Sequence, residues 1–175
     1  MLIILGGLPG AGKTTLARAL AAELKAVHLR VDTIEQAIRA AKVLTSEVGP
    51  AGYMVAYGLA EDNLMLGQTV VADSVNSLNV TRDAWLQVAG RVGVPAVEVE
   101  VICSDPAEHR RRVETRPTDV PGLVKPSWDE VIARPYDPWG RGHIVIDSAR
   151  QGVEQSVAEV ISRLPLGRRP TSRSA

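Results

Sequence analysis

The run Gly7-Leu8-Pro9-Gly10-Ala11-Gly12-Lys13-Thr14 constrains this chain more than any other feature. It follows the apolar stretch Leu2 to Leu5 and leads into Leu16, Ala17, Leu20, Ala21 and Leu24, which recur at helical spacing. A short unbroken apolar run is the mark of a strand buried on both faces, and the spacing after it is that of an amphipathic helix. A glycine-rich turn between the two lets successive main-chain N–H groups face one point, at which the following helix directs its positive end. Such a cradle, closed by a lysine and a hydroxyl residue, suits a triphosphate. Gly7, Leu8, Pro9, Gly10, Ala11, Gly12, Lys13, Thr14 and Thr15 are therefore expected to hold nucleotide phosphates, Lys13 as a point charge and Thr14 as a hydroxyl ligand to Mg²⁺.

The rest of the chain repeats the strand-then-helix rhythm. Val27–Val31, Thr69–Asp73, Ala96–Cys103 and His143–Asp147 read as further strands, and Glu98 and Glu100 suggest that one face of the fourth lies near solvent. Between them the spacing predicts helices over Tyr53–Gly67 and Leu78–Val92. Asp32-Thr-Ile-Glu35 resembles a capped helix start, running to about Val43 before Gly49-Pro50 breaks it. Ser104-Asp105-Pro106 opens a charged helix through about Arg116, followed by a mobile loop from Pro117 to Pro126 and a short helix over Trp128–Ala133. Val153–Leu164 closes the fold. The pattern predicts an α/β protein, a parallel sheet flanked by helices, with ligands at the carboxyl ends of its strands. Residues 1–164 form its one domain, with a lid over about 110–135, and residues 165–175, carrying Arg168, Arg169 and Arg173, form a flexible basic tail.

Composition narrows the function classes. Twenty Lys and Arg balance twenty Asp and Glu, which removes the broad basic footprint of a duplex-binding protein. An aromatic content of 3% with no Phe leaves few rings for stacking the bases of an extended single strand. The one cysteine, Cys103, cannot form an internal disulfide, and no Cys/His spacing resembles a zinc site. The amino end is too short in apolar residues for a leader or a membrane span, so a cytoplasmic location with no membrane partner is expected.

Four groups of polar residues carry the expected chemistry. Asp73 ends the third strand, where a carboxylate would join Thr14 on Mg²⁺ and bound the substrate site, or would instead cap the next turn. Asp32 follows the second strand on the same edge of the sheet. It can orient an acceptor hydroxyl and take its proton, a role compatible with capping its helix. Arg112 and Arg116, four apart before the loop, can converge on one polyphosphate and neutralise charge in transfer, Arg112 also binding the nucleotide; the alternative is a solvated face pairing with Glu108. Arg39, two turns beyond Asp32, can face the acceptor, and Asn76 and Arg82 can line the same cleft, although Arg82 also suits the surface. His28, His109 and His143 read as structural, and Trp85, Trp128 and Trp139 as packing residues.

With these residues in view the sequence resembles the P-loop kinases of small molecules and nucleic-acid ends, a group that includes polynucleotide 5′-hydroxyl kinases, chloramphenicol phosphotransferase, adenylylsulfate kinases and zeta-toxin-like kinases. The likeness is carried by Gly7 to Thr14, by Val71-Ala-Asp73-Ser-Val-Asn76-Ser-Leu-Asn79-Val-Thr-Arg82, and by the stretch from Cys103 to Arg116. It implies a P-loop NTPase fold with strand order 2-3-1-4-5, Asp32 as general base, Arg39 on the acceptor, Arg112 and Arg116 in the lid, and an adenine pocket near Asp147-Ser148-Ala149. Ser74 departs from the threonine of polynucleotide kinases, and the lid has no lysine before Lys125. The leading expectation is an ATP- and Mg²⁺-dependent transfer of the γ-phosphate to a hydroxyl of a metabolite, nucleoside, sugar or antibiotic, by a monomer or homodimer. A polynucleotide 5′-hydroxyl kinase and a non-catalytic ATP-binding switch are the alternatives.

Overall fold

The computed structural model describes residues 1–42 and 48–165, so the basic tail beyond Pro165 and the expected helix end at Val43 lie outside the described residues. Five strands form one all-parallel sheet: β1 (Leu2–Gly6), β2 (Val27–Arg30), β3 (Val70–Asp73), β4 (Ala96–Ile102) and β5 (Ile144–Asp147), in the order β2-β3-β1-β4-β5. The order is the one the family resemblance implies. β1 lies at the centre, with Leu5 in register with Asp73 of β3 and with Val99 of β4.

Side chains along a strand alternate between faces, so β1 feeds two cores. Ile3 and Leu5 pack with Leu16, Ala17 and Leu20 of α1 (Lys13–Leu24) and Val160 of α7 (Val153–Ser162). Leu2 and Ile4 pack on the other face with Ala56, Ala60 and Leu64 of α3 (Ala51–Met65) and Trp85 and Val88 of α4 (Asn79–Val92). Every β1 residue is buried, as its unbroken apolar run requires.

α2 covers Val31–Ala40, so Asp32 stands inside its first turn and Arg30 occupies the cap position without a side-chain bond. This corrects the capping role read for Asp32 and leaves its carboxylate available to the cleft. α5 (Pro106–Thr115) does begin at a side-chain cap, Asp105 accepting from the amides of Ala107 and Glu108. Its last residue is Thr115; Arg116 is the C-cap, its N–H donating to the Arg112 carbonyl at 3.1 Å with a helical φ of −57°, while its ψ of 135° turns the chain that follows out of the helix. α6 (Trp128–Ile132) is short but closed by a capping box of Ser127 and Glu130.

Two expectations about β4 and β3 are corrected. Glu98 and Glu100 do not face solvent, because the segment before β5 covers them: Arg141 binds Glu98, while Tyr136 and His143 bind Glu100. Asn76 is fully buried at φ 47° and does not reach the cleft. Its Nδ2 donates to the Leu5 carbonyl (2.6 Å) and its Oδ1 accepts from Trp85 Nε1 (3.2 Å), which joins the ends of β1 and β3 to α4. Arg82 is likewise buried, donating to the carbonyls of Ser77 and Asp137 and lying 4.4 Å from the centre of the Trp139 ring. Among the described residues no helix is long and apolar enough to cross a membrane.

Candidate active site

The loop between β1 and α1 takes the shape its glycines allow. Gly7 sits at φ +137° against the Val101 carbonyl, and Gly12 at φ +99° forms the left-handed cap of α1. No side chain caps that helix, so its first-turn amides remain directed at the cavity they border. The loop is braced from behind by His109 of α5, whose Nε2 donates to the Pro9 carbonyl at 2.8 Å while its ring meets Trp128 edge-on.

Two cavities, of about 570 and 590 Å³, open on either side of this loop. Lys13, Thr14, Arg116 and Leu123 line both, and so mark where the two meet. The first runs from Gly10, Gly12 and Thr15 past Arg112 to Ser148 and Gly152. Arg112 is pinned there: Nε donates to Glu108 (2.7 Å), Nη1 to Ser148 Oγ (2.8 Å) and Nη2 to the Ser148 carbonyl (3.1 Å). The ordinary ion pair with Glu108 and a position on the cavity wall therefore coexist in one side chain.

The second cavity holds Asp32, Glu35 and Arg39 of α2, Asp73 and Ser74 after β3, Tyr53 of α3, and Arg134 beyond α6. Arg39 donates to Gln36 (2.8 Å) and Glu35 (3.3 Å). Burial raises the Glu35 carboxyl above its ordinary value, with Asp32 adding to the rise and Arg39 and Arg134 opposing it. Arg134 and Arg116 have no carboxylate partner among the described residues. Arg110 and Arg111 are spent on Glu114 and Glu108 at the surface.

Lys13 shows that these groups converge. Burial lowers its ammonium from 10.5 to about 8, Asp73 and Asp32 pull it back up, and Arg116 and Arg134 press it down. Its Nζ rests on the Leu8 carbonyl at 2.9 Å. The oxygen donors present fit a hard divalent cation shared with phosphates: the Thr14 hydroxyl borders both cavities and Asp73 lies beside Lys13. No group of three or more His, Cys, Asp or Glu side chains stands close enough together to hold a metal ion among the described residues.

Four contributors escaped sequence reading. Arg30, at the end of β2, has a side chain only 9% exposed, 3.5 Å from Asp32 and 4.0 Å from Asp73. His28 Nε2 lies 3.2 Å from Asp73 Oδ2, so the histidine read as merely structural braces a site carboxylate. Asp119, the one acid in loop 117–126, is bound by Arg30 and Arg18. A lone acid in a Pro- and Gly-bounded loop downstream of two arginines was the available signal. Arg134 had none, since its role depends on where α6 packs.

The sequence matches the model of an AAA domain family over residues 2–133. No curated protein matches it. Among solved structures, the Mycobacterium tuberculosis APS kinase CysC in complex with AMPPNP and APS superposes with a TM-score of 0.68 at 18% identity, over 92% of this chain and 95% of that one. Chaetomium thermophilum Kti12 in complex with ADP-AlF3 gives 0.68 at 21% identity, over 93% and 98%. A gluconokinase from Sinorhizobium meliloti gives 0.62 at 18% identity, over 91% and 89%. At these identities the likeness bears on the fold. With most of its length matched and its sheet order and phosphate loop in place, this chain belongs to that AAA domain family and carries the fold of the P-loop kinases.

Proposed function

We propose that the protein is a phosphotransferase that moves the γ-phosphate of ATP to a hydroxyl of a small molecule. The observation that carries this reading is the meeting of the two cavities at Lys13, Thr14 and Arg116. A pure nucleotide switch has no need of a second cavity of equal size lined by carboxylates and by Arg116 and Arg134, which have no carboxylate partner among the described residues.

ATP would lie in the first cavity, its β- and γ-phosphates wrapped by the amides of residues 7–15 and its base toward Ser148 and Gly152. Lys13 would leave the Leu8 carbonyl for the phosphate oxygens. Thr14 and Asp73 would hold Mg²⁺, which supplies neutralisation of phosphate charge when bound. The acceptor would lie in the second cavity, oriented by Asp32 and Arg39. Its oxygen bonds to the γ-phosphorus as the bond from that phosphorus to the β-phosphate oxygen breaks, and Asp32 takes the hydroxyl proton as ADP leaves. Arg116, which borders both cavities, would neutralise the charge that spreads over the transferring group.

A screen of hydroxyl-bearing compounds for stimulated ADP release identifies the acceptor. With it in hand, Asp32→Asn is expected to keep ATP affinity within about twofold while lowering kcat by about 10²–10⁴, the contribution of a positioned base. Parallel loss of ATP affinity and kcat would assign Asp32 a structural role.

A further inference from the structure

Resting on that reading, we propose that Asp119 is a positioning residue for the transfer: its carboxylate clasps loop 117–126 to the body of the protein and so holds Arg116 where the two cavities meet.

Both Asp119 oxygens accept from Arg30 Nη1 at 2.9 Å, and Oδ2 also accepts from Arg18 Nη2 at 2.5 Å. The two catches differ. Arg18 stands on the outside of α1 with 57% of its side chain exposed, whereas that of Arg30 is 9% exposed, its buried Nε facing Asp73 at 4.0 Å. Charge-assisted bonds to a guanidinium held this rigidly avoid most of the ordering cost that makes surface pairs weak. Arg30 also faces Asp32 and Asp73, so one side chain touches the loop, the acceptor-side acid and the cation-side acid.

The clasp reaches Arg116 through a short, stiff path. Pro117 fixes the backbone just after it. Lys125 Nζ donates to the Arg116 carbonyl at 2.6 Å and closes the base of the loop, while Val120 is buried beneath it. Asp119 borders only the nucleotide cavity, so it acts on the acceptor side through Arg116.

The test combines amide hydrogen exchange with transfer kinetics on the full chain. Asp119→Asn is expected to speed exchange of the 117–126 amides by about tenfold, with α1 and β1 unchanged, and Asp119→Glu to restore protection in part. AMPPNP affinity stays within about twofold, because the phosphate loop holds it independently, while kcat falls to that of Arg116→Ala. The double variant Asp119→Asn/Arg116→Ala is then no slower than Arg116→Ala alone. Unchanged exchange in the loop, additive losses in the double variant, or AMPPNP binding more than about tenfold tighter in Asp119→Asn would each overturn the proposal; the last would make Asp119 a competitor of the phosphates. If no acceptor is ever phosphorylated, the exchange measurements still decide the clasp, while the transfer reading fails by itself.

Discussion

Lys13 carries the most exacting requirement of any single residue. Its ammonium is buried, and burial brings it to about 8 although Asp73 and Asp32 favour the charge. Between that value and 10.5 the unfolded chain binds a proton that the folded chain does not. Stability of the nucleotide-free protein therefore rises as pH climbs through this window, and below it the whole cost of burying the charged ammonium remains. Nucleotide affinity runs the opposite way, since a triphosphate needs the charge. Titration of a fluorescent ATP analogue should show affinity level below pH 8 and falling by up to about tenfold per unit above it, with proton uptake on binding. A flat profile to pH 9.5 would mean that the main-chain amides carry the binding unaided. Asn76 shows the opposite use of a polar side chain: sequence proximity to Asp73 suggested the cleft, but its two buried hydrogen bonds tie β1 to α4.

At the scale of elements, caps and breaks decide which side chains reach the site. α5 starts on Asp105 and closes on its C-cap Arg116, whose N–H still binds the Arg112 carbonyl, so both arginines border one cavity while the chain turns into loop 117–126. α6 has only five residues and would be marginal alone. It is held by the Ser127–Glu130 capping box, by the fully buried Val131 and by the Trp128 edge against His109. Since α6 delivers Arg134 to the second cavity, Ser127→Ala should cost about 1 kcal/mol in urea unfolding and, on the proposed function, raise the acceptor KM without changing ATP affinity. An unchanged acceptor KM at the lowered stability would show that Arg134 is placed by other contacts.

For the whole molecule, the sheet separates two cores and brings the ends of β1, β2 and β3 together, so nucleotide binding should report on the folded state as a unit. MgATP at about 100 times its Kd is expected to add about 2.7 kcal/mol of stability. A thermal-shift series should show the gain shrinking when EDTA removes the cation and vanishing in Lys13→Ala. Equal stabilisation of Lys13→Ala would move the nucleotide away from this loop.

The phosphate loop, the alternation of strand and helix and the two opposed carboxylates Asp32 and Asp73 were legible in sequence because each depends on neighbours a few residues away: glycine conformations, apolar periodicity, strand ends. The strand order followed from family resemblance. What tertiary structure alone decided is which side chains meet across the crossovers. Arg30 and Asp119 are 89 positions apart and His28 and Asp73 are 45, and such pairs exist only because parallel connections return distant strand ends to one edge of the sheet. The same packing removed Asn76, Glu98 and Glu100 from the roles their local surroundings suggested, since a buried polar group takes whichever partners the fold places beside it.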